Sequence, residues 1–172
     1  MYLQIQEPTQ RISKDSILVW RLSKTLGHGA TILVAGVLWY LSEMYEWKTW
    51  ITYTLIVLIG LTMLSAIYEI LFEPYYKYKT WRYEIDEEYV QLKRGHFILE
   101  HIVIPMAKVE YVSTHQGPFL RKYQLYDVEI GTTTTNHTIP AIPAEQAIAL
   151  REQIAIFAKV KDLDEKGMEQ EL

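Results

Sequence analysis

Residues Thr49–Tyr68 form an unbroken run of 20 residues without a charge, TWITYTLIVLIGLTMLSAIY. A helix of that length rises about 30 Å, the thickness of a bilayer's hydrocarbon core. Nine of its residues are Leu, Ile or Val, which together favour insertion by roughly 3–5 kcal/mol. Trp50 and Tyr53 at one end and Tyr68 at the other stand where interfacial aromatic anchors belong. A buried helix of a soluble core is the competing reading, and a second apolar run just upstream decides against it.

That run, Thr25–Leu41, holds Gly27, Gly29 and Gly36, with His28 near its start. Gly29 and Gly36 share a helix face and are candidate helix-packing positions, against the second run first and a partner's helix second. His28 reads as a headgroup-level residue rather than a proton relay. Only Ser42–Lys48 joins the two runs, so they must fold back as an antiparallel hairpin. Arg11, Lys14, Arg21 and Lys24 precede the first run, Lys48 alone lies in the connection, and Lys77, Lys79 and Arg82 follow the second. Positive residues stay on the cytoplasmic side. The expected product is a multi-pass protein of the cell membrane with both termini cytoplasmic.

The 172 residues suffice for one domain plus an anchor, and the net charge of −4 gives no support for nucleic-acid binding. There is no cysteine, which excludes disulfides and thiolate zinc sites and fits a cytoplasmic soluble part. Residues 1–24 begin with positive charge, as a signal peptide does. The lead is too long, and no small-x-small cleavage site follows the apolar run, so the segment reads as retained. Within it, Ile17, Leu18 and Leu22 beside Trp20 are compatible with a short amphipathic helix on the membrane surface, or with a plain lead-in turn.

Past Pro74 and a Tyr/Lys mixture suited to the headgroup layer, the period changes from 3.6 to 2. Alternation predicts strands over Trp81–Ile85, Tyr89–Arg94, Phe97–Ile104, Lys108–His115, Leu125–Ile130 and Asn136–Ile139. Pro105, Gly117-Pro118, Gly131 with its Thr run, and Pro140 mark the breaks. A helical stripe then returns at Ala147, Leu150, Ile154, Phe157 and Ala158. The charged end, 161–172, reads as a disordered acidic tail.

The chemistry-bearing residues form no recognisable catalytic pattern. There is no GxSxG, HExxH or P-loop. On a strand, His96 and Glu100 share a face while His101 points the other way, so this run is a poor metal site. Asn136-His137-Thr138 is a glycosylation sequon in form only. The reading calls for no cofactor, no metal and no catalytic residue. Two basic pairs near strand ends, Lys93-Arg94 and Arg121-Lys122, are candidate contacts for an anionic lipid headgroup or a partner. Arg121 could equally pair with Asp127 or Glu129.

Ile104-Pro105-Met106-Ala107-Lys108-Val109, then Val112, then Gly117-Pro118-Phe119-Leu120-Arg121 resemble the central signature of the bacterial pleckstrin-homology-like membrane proteins. The Thr-rich strand, Ile139-Pro140 and the Ala-rich closing helix match as well. The layout is similar to that of the small two-span, YdbS-like members, over roughly Arg21–Lys159. It departs where a Gly often precedes a strand and this chain has Gln124. The resemblance implies a pleckstrin-like barrel with a C-terminal helix. It also implies membrane residence beside a larger membrane protein carrying several such domains, with suggested roles in envelope defence against antimicrobial compounds.

The expected fold is therefore an α+β membrane protein: a two-helix transmembrane hairpin, then a pleckstrin-homology-like β-barrel or bent sheet capped by a C-terminal helix. The expected boundaries are 1–24 for the cytoplasmic segment, 25–72 for the hairpin, 75–160 for the domain and 161–172 for the tail. The expected role is non-enzymatic: an interaction or scaffold subunit in the bilayer, binding a membrane protein, with a homo-oligomer left open and lipid sensing as the alternative. The orientation has a direct check. Tyr45→Cys should react with an impermeant thiol reagent added to intact cells and Glu87→Cys should not; the reverse pattern would overturn it.

Overall fold

The computed structural model describes residues 7–95 and 98–170. The chain divides into two compact units: Ile17–Tyr76, and the chain from Lys77 on together with the N-terminal segment up to Ser16.

The first unit is the hairpin. α1 runs Ser16–Met44 and α2 runs Thr49–Leu71. Of the apolar stretch of each, only 11% and 6% is buried. A core helix of a soluble protein would bury most of that surface, so the soluble-core reading fails. α1 also starts nine residues before Thr25, and among the described residues no separate surface helix precedes it. Arg21 and Lys24 sit inside it because both have partners on the returning chain. α3, Glu73–Thr80, follows α2 almost at once, with Pro74 in its first turn. Pro74 has no N–H to give the Ile70 carbonyl four residues back. Arg21 Nε donates to that carbonyl at 3.1 Å, and its Nη2 to the Leu71 carbonyl at 3.4 Å.

The second unit holds two antiparallel three-stranded sheets. β1 (Arg82–Ile85), β2 (Tyr89–Gly95) and β3 (Leu99–Pro105) form one. β4 (Val109–His115), β5 (Leu125–Thr132) and β6 (Asn136–Pro143) form the other. The expected strands are present, although His96 and Phe97 at the start of the third lie outside the described residues. A 3₁₀ turn, Met106–Lys108, carries the chain between sheets. The barrel is not closed: β3 and β4 do not pair, and each ends its sheet. α4, Pro118–Lys122, stands where only a break was expected. α5 runs Ala144–Gln170, through most of the charged stretch expected to be disordered.

α5 packs on the second sheet and the 3₁₀ turn, and both sheets contribute buried residues to the core. Val90, Leu92, Val128, Ile130, Ile139, Ala147 and Ile154 have no exposure, and Met106 seals the turn between sheets. Gly131 lies within β5 rather than in a turn, because the Tyr111 ring of β4 packs over its Cα, where a side chain would collide. Gln124, at the family's glycine position, keeps the left-handed backbone a glycine would take, with φ +53°.

β6 continues over Pro140 instead of stopping there. Its register against β5 slips by one between Tyr126 and Val128, setting Pro140-Ala141 against Asp127. Ala141 takes up the bulge with φ +53°, at a cost of about 1 kcal/mol. The N-terminal segment was expected as a lead-in and proves to be part of this unit. Gln10 pairs antiparallel with Tyr83 on the outer edge of β1. Three residues on, the Ser13 N–H donates to the Ala141 carbonyl of β6 at 3.2 Å. Between them Ile12 is 3% exposed. This strap spans the two sheets on the side where they do not pair.

The expected closing stripe is uneven. Ile154 is fully buried while Phe157 is only half-covered. Ile154→Ala should therefore destabilise the detergent-solubilised chain by about 2–5 kcal/mol, and Phe157→Ala by clearly less. Thermal melts of the two variants would check this ranking, and an equal or larger loss for Phe157→Ala would contradict the packing.

Candidate interaction surface

The four basic residues expected at strand ends fall into two different situations. Lys93 and Arg94 lie on β2 and are each ion-paired within the domain. Lys93 Nζ is 2.7 Å from Glu7 of the strap, and Arg94 Nε is 2.8 Å from Glu100 directly across the β2–β3 ladder. The hydrogen bond and charge of Lys93 hold the Glu7 carboxyl below its usual range. Arg121 and Lys122 lie exposed on α4, on the β4–β5 connection. Among the described residues no carboxylate lies within ion-pair distance of either. Arg121 does not take Asp127 or Glu129, because both are engaged elsewhere. Asp127 accepts the Ala141 N–H at 2.8 Å, and Glu129 binds His115 at 2.7 Å and the Asn136 amide at 2.8 Å.

Ser113, His115 and Glu129 come together across β4 and β5, a constellation that sequence spacing did not reveal. A relay needs the serine on one imidazole nitrogen and the acid on the other. Here Ser113 Oγ at 3.2 Å and Glu129 Oε2 at 2.7 Å both address Nε2. The two compete for one site, so the cluster is a polar patch rather than an activated nucleophile. Nor do Glu100 and His101 converge: Glu100 faces Arg94 and His101 meets the Gln91 amide oxygen at 3.0 Å. Among the described residues no group of three His, Asp or Glu is placed to hold a metal.

In the hairpin, Gly29 and Gly36 are not the packed face. A Cβ built at either would meet nothing within 4 Å. The more covered positions are their neighbours His28 and Ala35, and Ser42 near the connection. Ser42 Oγ and Thr52 Oγ1 are 3.1 Å apart near the connection. At the other end Lys24 Nζ reaches Glu69 at 2.6 Å and Glu73 at 3.3 Å, and His28 Nε2 lies 3.4 Å from Glu69. His28 thus belongs to an ionic cluster joining the two helices.

These features define a class of protein: an apolar helical hairpin carrying a two-sheet domain closed by a helix, whose unspent features are charges and strand edges. The chain belongs to the bacterial PH domain family, whose model matches residues 17–156. It is 35% identical over 159 residues, 92% of this chain and 98% of the relative, to the UPF0699 transmembrane protein YdbS of Bacillus subtilis (strain 168). No solved structure matches it. The chain is accordingly a transmembrane protein with a bacterial PH domain, and the resemblance carried by Ile104–Arg121 is confirmed at the level of the family.

Asp127 offers a test of the site's electrostatics. Burial pushes its carboxyl above the ordinary value of 3.8, against the Ala141 N–H and the charges of Lys77 and His115, which pull it down. A raised folded-state pKa means that this contribution to stability is fully present below about pH 3.8 and is lost as pH rises through the folded value. Asp127→Asn keeps an acceptor for Ala141 without the charge. The variant should therefore gain on the wild type as pH is raised through that window. Parallel melting curves against pH would contradict the placement of Asp127.

Proposed function

We propose that this protein is a non-catalytic, membrane-anchored recognition subunit whose PH domain, held at the cytoplasmic face, binds a membrane protein partner. The partner class is a larger membrane protein carrying several domains of the same kind, and the setting is envelope defence against antimicrobial compounds, as the family resemblance implies. Membership in the bacterial PH family and the relative's designation as a transmembrane protein support a non-catalytic role. The observation that carries the reading is the ion pairing of Lys93 and Arg94 with carboxylates of their own domain. It leaves only Arg121 and Lys122 of the four cations for an anionic surface, or about 2 kcal/mol of salt-screened attraction. The anchor supplies high local concentration by itself, so a modest protein contact suffices.

Lipid sensing is the second reading, favoured by the exposed pair on α4. The variant with Lys93, Arg94, Arg121 and Lys122 all changed to Ala separates the two. Purified in mild detergent, it should recover its membrane partner within about twofold of the wild type. Loss of cellular function in this variant, with no partner recovered from the wild type, would favour lipid sensing instead.

A further inference from the structure

β4 is an edge strand, pairing with β5 and with no other strand among the described residues. Beside it runs an open groove of about 470 Å³, with β4 and the 3₁₀ turn as one wall and the Ala155–Lys159 stretch of α5 as the other. Ala107 on the first wall and Ala155 and Ala158 on the second keep the groove wide. Glu110 projects on the strand wall and Lys159 on the helix wall. Neither has an ion-pair partner among the described residues. An unpaired row of N–H and C=O groups is complemented only by another extended backbone, and small residues opposite it leave room for every second side chain of such a strand.

We infer that this groove receives an extended segment of the partner protein, which adds to β4 as a fourth strand of the second sheet. The inference rests on the partner reading above and locates the contact. The segment carries a basic side chain toward Glu110, an acidic one toward Lys159, and small or medium apolar residues over Ala155 and Ala158. A second copy pairing through its own β4 would bring its own α5, which lies beside that strand, into the same space, and this favours a different chain.

The test uses the full-length protein in cell membranes. A photoreactive phenylalanine analogue is placed at Tyr111, at Ala158, or at Leu99 on β3 as a control, and adducts are mapped by mass spectrometry after irradiation. Positions 111 and 158 should label one and the same segment of one partner protein, and position 99 should not label that segment. Ala158→Trp fills the groove from a half-exposed position and should reduce both the adduct at 111 and partner recovery at least tenfold. If that variant fails to insert or fold, Lys159→Glu at an exposed position should weaken recovery several-fold. Adducts confined to lipid, adducts with a second copy, or no adduct would overturn the inference. Undiminished partner recovery in Ala158→Trp would remove the groove while leaving the partner reading intact. Absence of any partner from the wild type would remove both.

Discussion

The hairpin depends on a backbone carbonyl that its own helix cannot satisfy. Pro74 deprives Ile70 of its usual donor, and in a hydrocarbon environment an unpaired carbonyl costs several kcal/mol. Arg21 answers it from α1 with its guanidinium. The same stretch holds Lys24 against Glu69 and Glu73, and His28 beside Glu69. Each of these groups would be expensive near a membrane alone, and together they form a satisfied set. The set also fixes the two ends of the hairpin to each other. The segment up to Ser16 and the chain from Lys77 on belong to one folded unit.

Within that domain the two sheets are held without barrel closure. On one side the chain itself turns between them at Met106, whose N–H donates to the Glu88 carbonyl. On the other side the strap does the work, and its purchase on β6 comes from a defect. Pro140 cannot donate to a ladder, so β6 bulges; Ala141 goes left-handed; its N–H turns to Asp127 and its carbonyl becomes free for Ser13. The cost of a strained alanine and a partly buried carboxylate is offset by burying Ile12 and by tying the outer edges of β1 and β6 together.

Sequence period was enough where an element repeats its own signal. The spans over Thr25–Leu41 and Thr49–Tyr68, the strands from Arg82 to Ile139 and the stripe through Ile154 all declare themselves over many residues. The strap does not: one bridge at Gln10 and one buried Ile12 make no period. β6 was cut short because Pro140 reads as a stop, and only its place on a sheet edge makes it tolerable. Gly29 and Gly36 pointed to a packed face by composition, yet polar pairs at His28 and Ser42 set the helix rotation and leave the glycines open. The candidate cations were visible, but their worth was not. Glu7 and Glu100 pair with Lys93 and Arg94, and Glu7 lies 86 residues from Lys93 in the chain. The Ser113–His115–Glu129 patch was likewise invisible, because it exists only through the β4–β5 register.

The two free edges differ in what guards them. Sheet edges invite unwanted pairing, and proteins blunt them with charge, proline and irregularity. β3 carries Glu100 in its ion pair with Arg94, His101 on Gln91, and Pro105 at its end. A strand docking there would meet charge at one end and a residue without a donor at the other. β4 presents Tyr111, Val112, Ser113 and Thr114 with no charge or proline among them. Its one acid, Glu110, faces a groove whose far wall holds Lys159. A domain fixed to a bilayer is concentrated beside its neighbours, so an unguarded edge would be a standing hazard unless something specific occupied it. The proposed strand addition at β4 is consistent with this difference: β3 ends in an ion-paired acid and a proline, and β4 opens onto a groove with opposite charges on its two walls.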